Sequence, residues 1–307
     1  MDICEKKPET YQSQNLDEFR KENTEIVDNE KYKLGMKRYE YILKRSNGEL
    51  KNDFYIYDHI LYPYIKHLPL NIQNIWAYSF SEMINNVIDH SHAENVKIEI
   101  GQDPIKTIVK IADDGIGIFE GIKKYFGFLM LDECICELFK GKLTTDPKNH
   151  SGEGIFFSSK LMDDFMIISS GRTFSSNKSK CGTKSDDFSN HNGTYIIMSL
   201  SNFTQKNPQE IFNLYSSPKN GIEKARIPLK NIFGPSAISR SQAKRVCNRL
   251  ENFKEVILDF EGMEWIGQGF AHQIFTIFAG NYPDVNLKPI NMNEDISNMY
   301  NHASESI

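Results

Sequence analysis

The sequence predicts an α/β protein made of two units, and three observations carry that prediction. Residues 70–90 repeat apolar side chains at 3.6 spacing, the mark of an amphipathic helix. Two runs with apolar residues at alternate positions, NVKIEI and IKTIVKIA, follow at once and read as half-buried strands. Beyond residue 223 the pattern alternates strand and helix, as a small α/β domain does. The 307 residues suit about two domains of ~150 residues each. The expected division is a weakly ordered start over 1–35, an extension of helices and turns over 36–71, the larger unit over 72–200, a linker over 201–222 and the smaller unit over 223–307.

Each element has its own signal. Residues 1–35 are polar and charge-rich without periodicity. In 36–71, YEYILKR and DFYIYDHILYPYIKHLPL supply Tyr and Ile, with Pro63 and Pro69 interrupting any long helix. The helix to His90 carries Trp76, Ala77, Phe80, Met83, Ile84, Val87 and Ile88 on one broad face. Gly101-Gln102-Asp103-Pro104 joins the two strands as a hairpin turn. LDECICELFKG and IFFSSKLM read as helices, and FMIIS as a strand. The Ser-, Asn- and Lys-rich stretch 171–192 reads as a long loop or hairpin tip, closed by a strand from Gly193. SNFTQKNPQE and SSPKNG have linker composition. The second unit then runs ARIPL, SRSQAKRVCNRL, EVILDF, GFAHQIFTIFAG and NLKPI.

Composition narrows the function classes. Hydrophobic residues make 39% and charged residues 25%, as in soluble globular chains. A formal net charge of −5 leaves no basic excess for a nucleic-acid backbone. Apolar runs end well short of the ~20 residues that span a bilayer, and the opening MDICEKKPETYQSQ lacks the apolar core of a signal peptide. The five cysteines are scattered, and Cys134-x-Cys136 lacks the CxxC spacing of zinc or redox sites. The expectation is a cytoplasmic protein with reduced thiols, no metal cluster, no membrane and no nucleic-acid partner.

The chemistry concentrates in three short strings. Glu82, Asn86 and His90 stand at i, i+4 and i+8, within an arc of about 80° on a regular helix, with Asp89 beside them and the apolar stripe opposite. A carboxylate can deprotonate a water or hydroxyl that attacks a γ-phosphate, and an Asn oxygen suits magnesium. The plainer reading is the solvated face of an amphipathic helix, against which stands the tandem Asn85-Asn86, poor helix formers at a helix centre. Asp113-x-Gly115-x-Gly117 follows a strand, where glycine permits close approach to a ligand and a carboxylate can accept from an adenine amino group. Gly152-x-Gly154 opens a helix and would aim backbone N–H groups at phosphates. The plain readings of the last two are an ordinary turn and a loop entering a helix capped by Ser151.

Taken in order, these strings resemble the GHKL ATP-binding family. Its N box matches Glu82-x-x-x-Asn86-x-x-x-His90, its G1 box matches Asp113 to Gly117, its G2 box matches Gly152-Glu153-Gly154, and its last motif matches Gly193-Thr194. The resemblance spans roughly 72–200 and looks most like the anti-sigma-factor serine kinases. His59, in YDHILYPY before Pro63, is not a phosphoacceptor-helix histidine, which sets histidine kinases aside.

The resemblance implies a Bergerat-type α/β sandwich, a mixed sheet with helices on one face, binding ATP and Mg2+. It implies Glu82 as general base, Asn86 as magnesium ligand, Asp113 as adenine reader, Gly115 and Gly117 as adenine wall, Gly152 and Gly154 as lid contacts to phosphate, and Thr194 behind the adenine. His90 is expected in a supporting position. Lys148 and His150 fall in the lid, where phosphate contact and plain solvent exposure are both open. Asp114 replaces the family's usual Asn, and its added negative charge is expected to weaken nucleotide binding.

The stretch EVILDFEGMEWIGQGFAHQIF resembles the STAS-like fold of anti-sigma-factor antagonists. The loop-to-helix turn that carries a phosphorylated Ser or Thr in switched members reads Trp265-Ile266-Gly267-Gln268-Gly269 here, with no hydroxyl. The expectation is therefore an ATP/Mg-binding regulatory protein, a slow ATPase or serine/threonine kinase-like switch acting on a protein partner, with homodimerisation open. The alternative is a non-catalytic, ATP-gated protein-interaction module.

Overall fold

The computed structural model describes residues 36–143, 152–176, 193–217 and 221–304. The expectations for residues 1–35, Lys148 and His150 lie outside the described residues.

The described residues open with strand β1 (Lys37–Lys44), where helices and turns were expected over 36–71. Its period-2 signal is visible in retrospect: Tyr39, Tyr41 and Leu43 stand opposite Ile100, Ile98 and Val96 of the next strand. Helix α1 covers residues 53–65, capped by the Asn52 side chain, which accepts from the Tyr55 N–H. A π turn, Tyr57–Leu61, precedes Pro63, where a missing N–H would interrupt an α ladder. Helix α2 (Leu70–Asn86) buries Ile72, Ile75, Trp76, Phe80, Met83 and Ile84. It ends in a second π turn, Val87–Ser91.

The hairpin follows as expected. β2 (Asn95–Gln102) pairs with β3 (Lys106–Asp113), and the Asp103 carboxylate closes the turn by accepting from the Ile105 and Lys106 N–H groups. Next come α3 (Ile118–Phe126), which the sequence reading did not resolve, α4 (Leu131–Lys140) and α5 (Gly154–Leu161). β4 (Asp164–Ser169), β5 (Arg172–Ser175) and β6 (Thr194–Ser201) complete a six-stranded sheet in the order β1-β2-β3-β6-β4-β5.

Every pairing in this sheet is antiparallel, which corrects the expectation of a mixed sheet. The registers give the reason. β3 and β4 do run the same way across the helical crossover, but β6 inserts between them in the opposite sense. One face of the sheet packs on the helices through Val96, Ile98, Ile100, Val109, Ile111, Ile196 and Met198. The other carries an ion cluster in which Lys97 bridges Glu40 and Glu99, and Lys110 joins Glu99. Glu40 and Glu99 are direct cross-strand partners, so the lysines neutralise a repulsive pair.

The stretch expected as a linker contains α6 (Pro208–Tyr215) and the short pair β7 (Ser216–Ser217) and β8 (Gly221–Ile222). Phe212 of α6 meets the rings of Tyr78 and Phe157 edge-on at 5.2 and 4.6 Å, contacts that hold the segment in place and that polar composition alone conceals. The second unit contains β9 (Lys224–Pro228), α7 (Leu229–Phe233), β10 (Ser236–Ala237), α8 (Arg240–Cys247), β11 (Glu255–Asp259), β12 (Trp265–Ile266), helix α9 over 268–281, β13 (Asn286–Ile290) and α10 (Glu294–Ser304). β13, β11 and β9 form a parallel sheet in that order, while β10 pairs with β12. Ser239 and Gln242 build a reciprocal capping box at the start of α8.

Asp259, at the end of β11, is buried yet ionised. Burial opposes its charge, but hydrogen bonds from Asn291 and Arg226 and from the Glu261 N–H prevail and lower it from an ordinary 3.8 to about 2. A depressed carboxyl stabilises the fold above its unfolded value, and that contribution is lost as pH falls from 3.8 towards about 2. Asp259→Asn is expected to cost roughly 2 kcal/mol at neutral pH and to flatten the acid limb of a urea-denaturation series. An acid limb identical to wild type would contradict this account of Asp259.

Candidate functional site

Three segments far apart in sequence meet at one end of the six-stranded sheet. Because β3 and β4 end where β6 begins, Asp113, Ser169 and Thr194 come together there. α2 crosses beneath them and α5 starts alongside. They enclose a cavity of about 700 Å³, within the usual range for small-ligand sites.

The α2 side of the cavity contributes Glu82, Asn86, Asp89 and His90. Glu82 and Asn86 share a face of the regular helix, as their spacing requires. His90 lies in the π turn, so the 100° increment fails beyond Asn86, although His90 still reaches the cavity. π turns interrupt α-helices most often where a side chain must be re-aimed. The freed carbonyls are satisfied locally: the Arg45 guanidinium donates to Val87 O and Ile88 O at 3.2 Å and to Ala93 O at 2.7 Å. His92, in the left-handed region at φ 55, ends the turn.

The strand end is built by close approach. The buried Asp113 carboxylate accepts from the Gly115 N–H at 2.9 Å, and Ile116 N–H donates to Ser91 O. A Cβ at 115 would overlap Ser91 O, so Gly115 shapes the turn from outside the cavity, while Gly117 (φ 79) lines it. Gly193 (φ 102) is pressed on the Asp113 backbone, and its carbonyl accepts from Ser169 Oγ. Thr194 Oγ1 accepts from the Ile118 N–H at 3.0 Å. The second glycine string meets the first: a Cβ at Gly154 would overlap the Glu82 carboxylate, which therefore lies against the first residue of α5. Negative charge is favoured at that helix end. Burial, then the carboxylates of Glu82 and Glu153, push the Tyr78 phenol up.

Among the expected site residues, Glu82, Asn86, His90, Asp113, Gly117, Gly152, Gly154 and Thr194 line this one cavity. Asp114 does not. Its carboxylate turns to the start of β2 and accepts from the Glu94 and Asn95 N–H groups and the Asn95 side chain. Burial opposes its charge, but these bonds lower its pKa, so its carboxylate braces the start of the hairpin and does not line the cavity. Sequence reasoning missed Lys124 and Tyr125, which α3 brings to the rim. The clue was the amphipathic IFEGIKKYF after Gly117. Among the described residues no group of three or more His, Cys, Asp or Glu is placed to hold a metal, and no helix is long and apolar enough to cross a membrane. Cys134, Cys136 and Cys247 are free and buried, and burial pushes Cys136 up to about 11.

Comparison with known families identifies the second unit. Residues 242–297 match the model of a family described as a STAS-like domain of unknown function (DUF4325). The C-terminal part of the chain is thus a STAS-like domain. No curated protein matches the chain. At the loop-to-helix turn of this domain a Cβ on Gly267 would strike Ile238 O at 2.5 Å, so Gly267 lets the turn pack closely on that backbone.

Gly193 and Gly171 both hold positive φ, but only Gly193 faces obstructing backbone. Gly171→Ala is expected to cost about 1 kcal/mol from conformation alone. Gly193→Ala is expected to cost at least about 2 kcal/mol more, because Asp113 must shift. Chemical denaturation of the pair measures the difference, and equal losses would mean that the packing of 193 on 113 is loose.

Proposed function

We propose that the cavity binds ATP with magnesium in a GHKL-type, Bergerat-like site, and that the chain is an ATP-dependent regulatory protein, a slow ATPase or serine/threonine kinase acting on a protein partner. The observation that carries this reading is convergence. Glu82 and Asn86 on one helix, Asp113 and Thr194 at strand ends, and Gly152 and Gly154 before another helix reach one cavity of suitable size. An antiparallel sheet with helices on one face and the cavity at its strand ends supports the same reading.

The residues fit the ligand on their own chemistry. Asp113, buried at the cavity wall that Thr194 also lines, would accept from an adenine amino group. The glycines at 117, 152 and 154 let the backbone pass close against Ser169, Leu143 and Glu82 at the cavity edge. Asn86 would hold magnesium through its amide oxygen, and the ion would offset phosphate charge. Glu82, beside the start of α5, would take the proton of an attacking water or hydroxyl, while α5 presents backbone N–H groups to the phosphate end. Lys124 at the rim adds a positive charge.

A second reading rests on Gly267. Gly267 and its neighbours from 265 to 269 carry no hydroxyl, so the turn offers phosphate no acceptor, which favours an ATP-gated interaction module without turnover. Two variants separate the readings. Asp113→Asn is expected to weaken ATP binding about tenfold or more, through loss of a charged hydrogen bond worth about 1.5–3 kcal/mol, and to erase preference for ATP over GTP in calorimetric titration with magnesium. Glu82→Ala is expected to keep ATP affinity and to slow single-turnover phosphate release about a hundredfold or more. Equal release from both proteins would remove the enzymatic reading and leave the gated one. Absence of ATP binding by the wild type would remove both.

A further inference from the structure

The STAS-like domain grips the cavity from behind. Arg249 follows α8 in the left-handed region at φ 60. Its guanidinium donates to Glu137 Oε2 at 3.1 Å and to Lys142 O at 2.7 Å, and it lies 5.4 Å from the Phe126 ring centroid. Each target stands on a segment whose neighbouring residues line the cavity. Phe126 ends α3, which offers Ile122 and Lys124 to the cavity; Glu137 precedes Leu138 on α4; Lys142 precedes Leu143. One planar fork thus sets the spacing of three wall segments, a task its rigid geometry suits and a lysine's does not.

Two further links hold Arg249 in register. Lys140, fully buried and paired with Glu137, donates to Arg245 O at 3.3 Å and Asn248 O at 2.5 Å. A lysine of the larger unit thereby caps the end of α8, the helix that delivers Arg249. On the other side, Glu153, standing between the cavity glycines 152 and 154, accepts from the Ile222 N–H at 2.9 Å. Leu143 N–H donates to Gly152 O, so the two attachments flank a single backbone junction.

Resting on the nucleotide reading above, we propose that Arg249 is a positioning residue for the cavity, so that nucleotide occupancy and docking of the STAS-like domain are linked. A ligand that needs the three wall segments at their present spacing binds best when Arg249 is seated. By thermodynamic reciprocity the bound ligand then holds the domain in place by the same factor.

Thiols report docking directly. Cys136 and Cys247 are buried, and Cys136 Sγ lies 3.7 Å from Arg245 O across the interface. Cys134 is buried in the larger unit against Phe119 O and serves as internal reference. The experiment uses the full chain, N-ethylmaleimide labelling read peptide by peptide, and parallel titration with magnesium and ATP. In the wild type, saturating ATP is expected to slow labelling of Cys136 and Cys247 relative to Cys134 by roughly tenfold. Arg249→Ala is expected to weaken ATP affinity by a similar factor and to abolish the ATP-dependent slowing, with Arg249→Lys behaving like Ala. Glu153→Ala, at the other attachment, should shift both readouts the same way and serves if the Arg249 variants do not fold. Wild-type binding of ATP, with affinity and protection unchanged in the variants, would overturn the linkage alone. A wild type that binds no ATP would overturn the nucleotide reading as well.

Discussion

Helix α5 is the constraint on which the rest depends. Its first residue, Gly154, lies against the Glu82 carboxylate, while its Phe156 and Phe157 belong to the core of the STAS-like unit and its Leu161 to the core of the larger one. Each buried phenylalanine contributes about 2–3 kcal/mol of apolar burial, so the two cores are joined through an element that also forms the cavity. A helix shared in this way cannot move at one end without disturbing packing at the other, because packed interiors resist small displacements. The aromatic seam of Phe156, Phe157, Phe212, Tyr215 and Tyr78 extends the joint over α6.

The ion cluster beneath that joint has a different energetic character. Lys140 and Glu137 are fully buried and paired at 2.6 Å. Removing two charges from water consumes much of what their attraction returns, so such a pair adds little net stability. Breaking it by deleting one partner is far more costly, since the survivor is left buried and charged. The cluster therefore specifies one docking geometry more than it strengthens docking, and Arg249, half in and half out of it, is its exposed edge.

The cavity residues were legible in the sequence because their chemistry is local. Glu82 and Asn86 needed only a regular helix between them, and Gly117, Gly152 and Gly154 needed only a turn, so short strings carry most of the information. His90 reached the cavity for a reason the spacing did not contain, since the π turn that re-aims it depends on Arg45, distant in sequence. The place of Asp114 was not legible because its partners, Glu94 and Asn95, are set by the register of a hairpin. The insertion of β6 between β3 and β4 left no local trace, which is why the sheet was expected to be mixed. β1 was overlooked for a simpler reason: YEYILKR is rich in tyrosine and isoleucine, and its alternation spans only three inward positions. β9 and β11 of the second unit were plain because ARIPL and EVILDF are short, apolar and separated by a helix with its own cap, whereas the two-residue β10 and β12 are too short to leave a pattern.

Gly267 and Arg249 bear on the same question from opposite ends of the STAS-like domain. The turn at 265–269 has no hydroxyl through which phosphate could change its charge. The same domain reaches segments that border the cavity, at Phe126, Glu137 and Lys142. The coupling this permits is bounded by physics: a ligand shifts docking only by its difference in affinity between docked and undocked states. Coupling free energies between linked sites are typically about 1–3 kcal/mol, the scale on which the guanidinium fork, the lysine cap and the Glu153 hydrogen bond would be shifted. The aromatic seam around α5 resists complete separation. Partial release at Arg249, with α5 still seated in both cores, is the motion that this division of contacts favours.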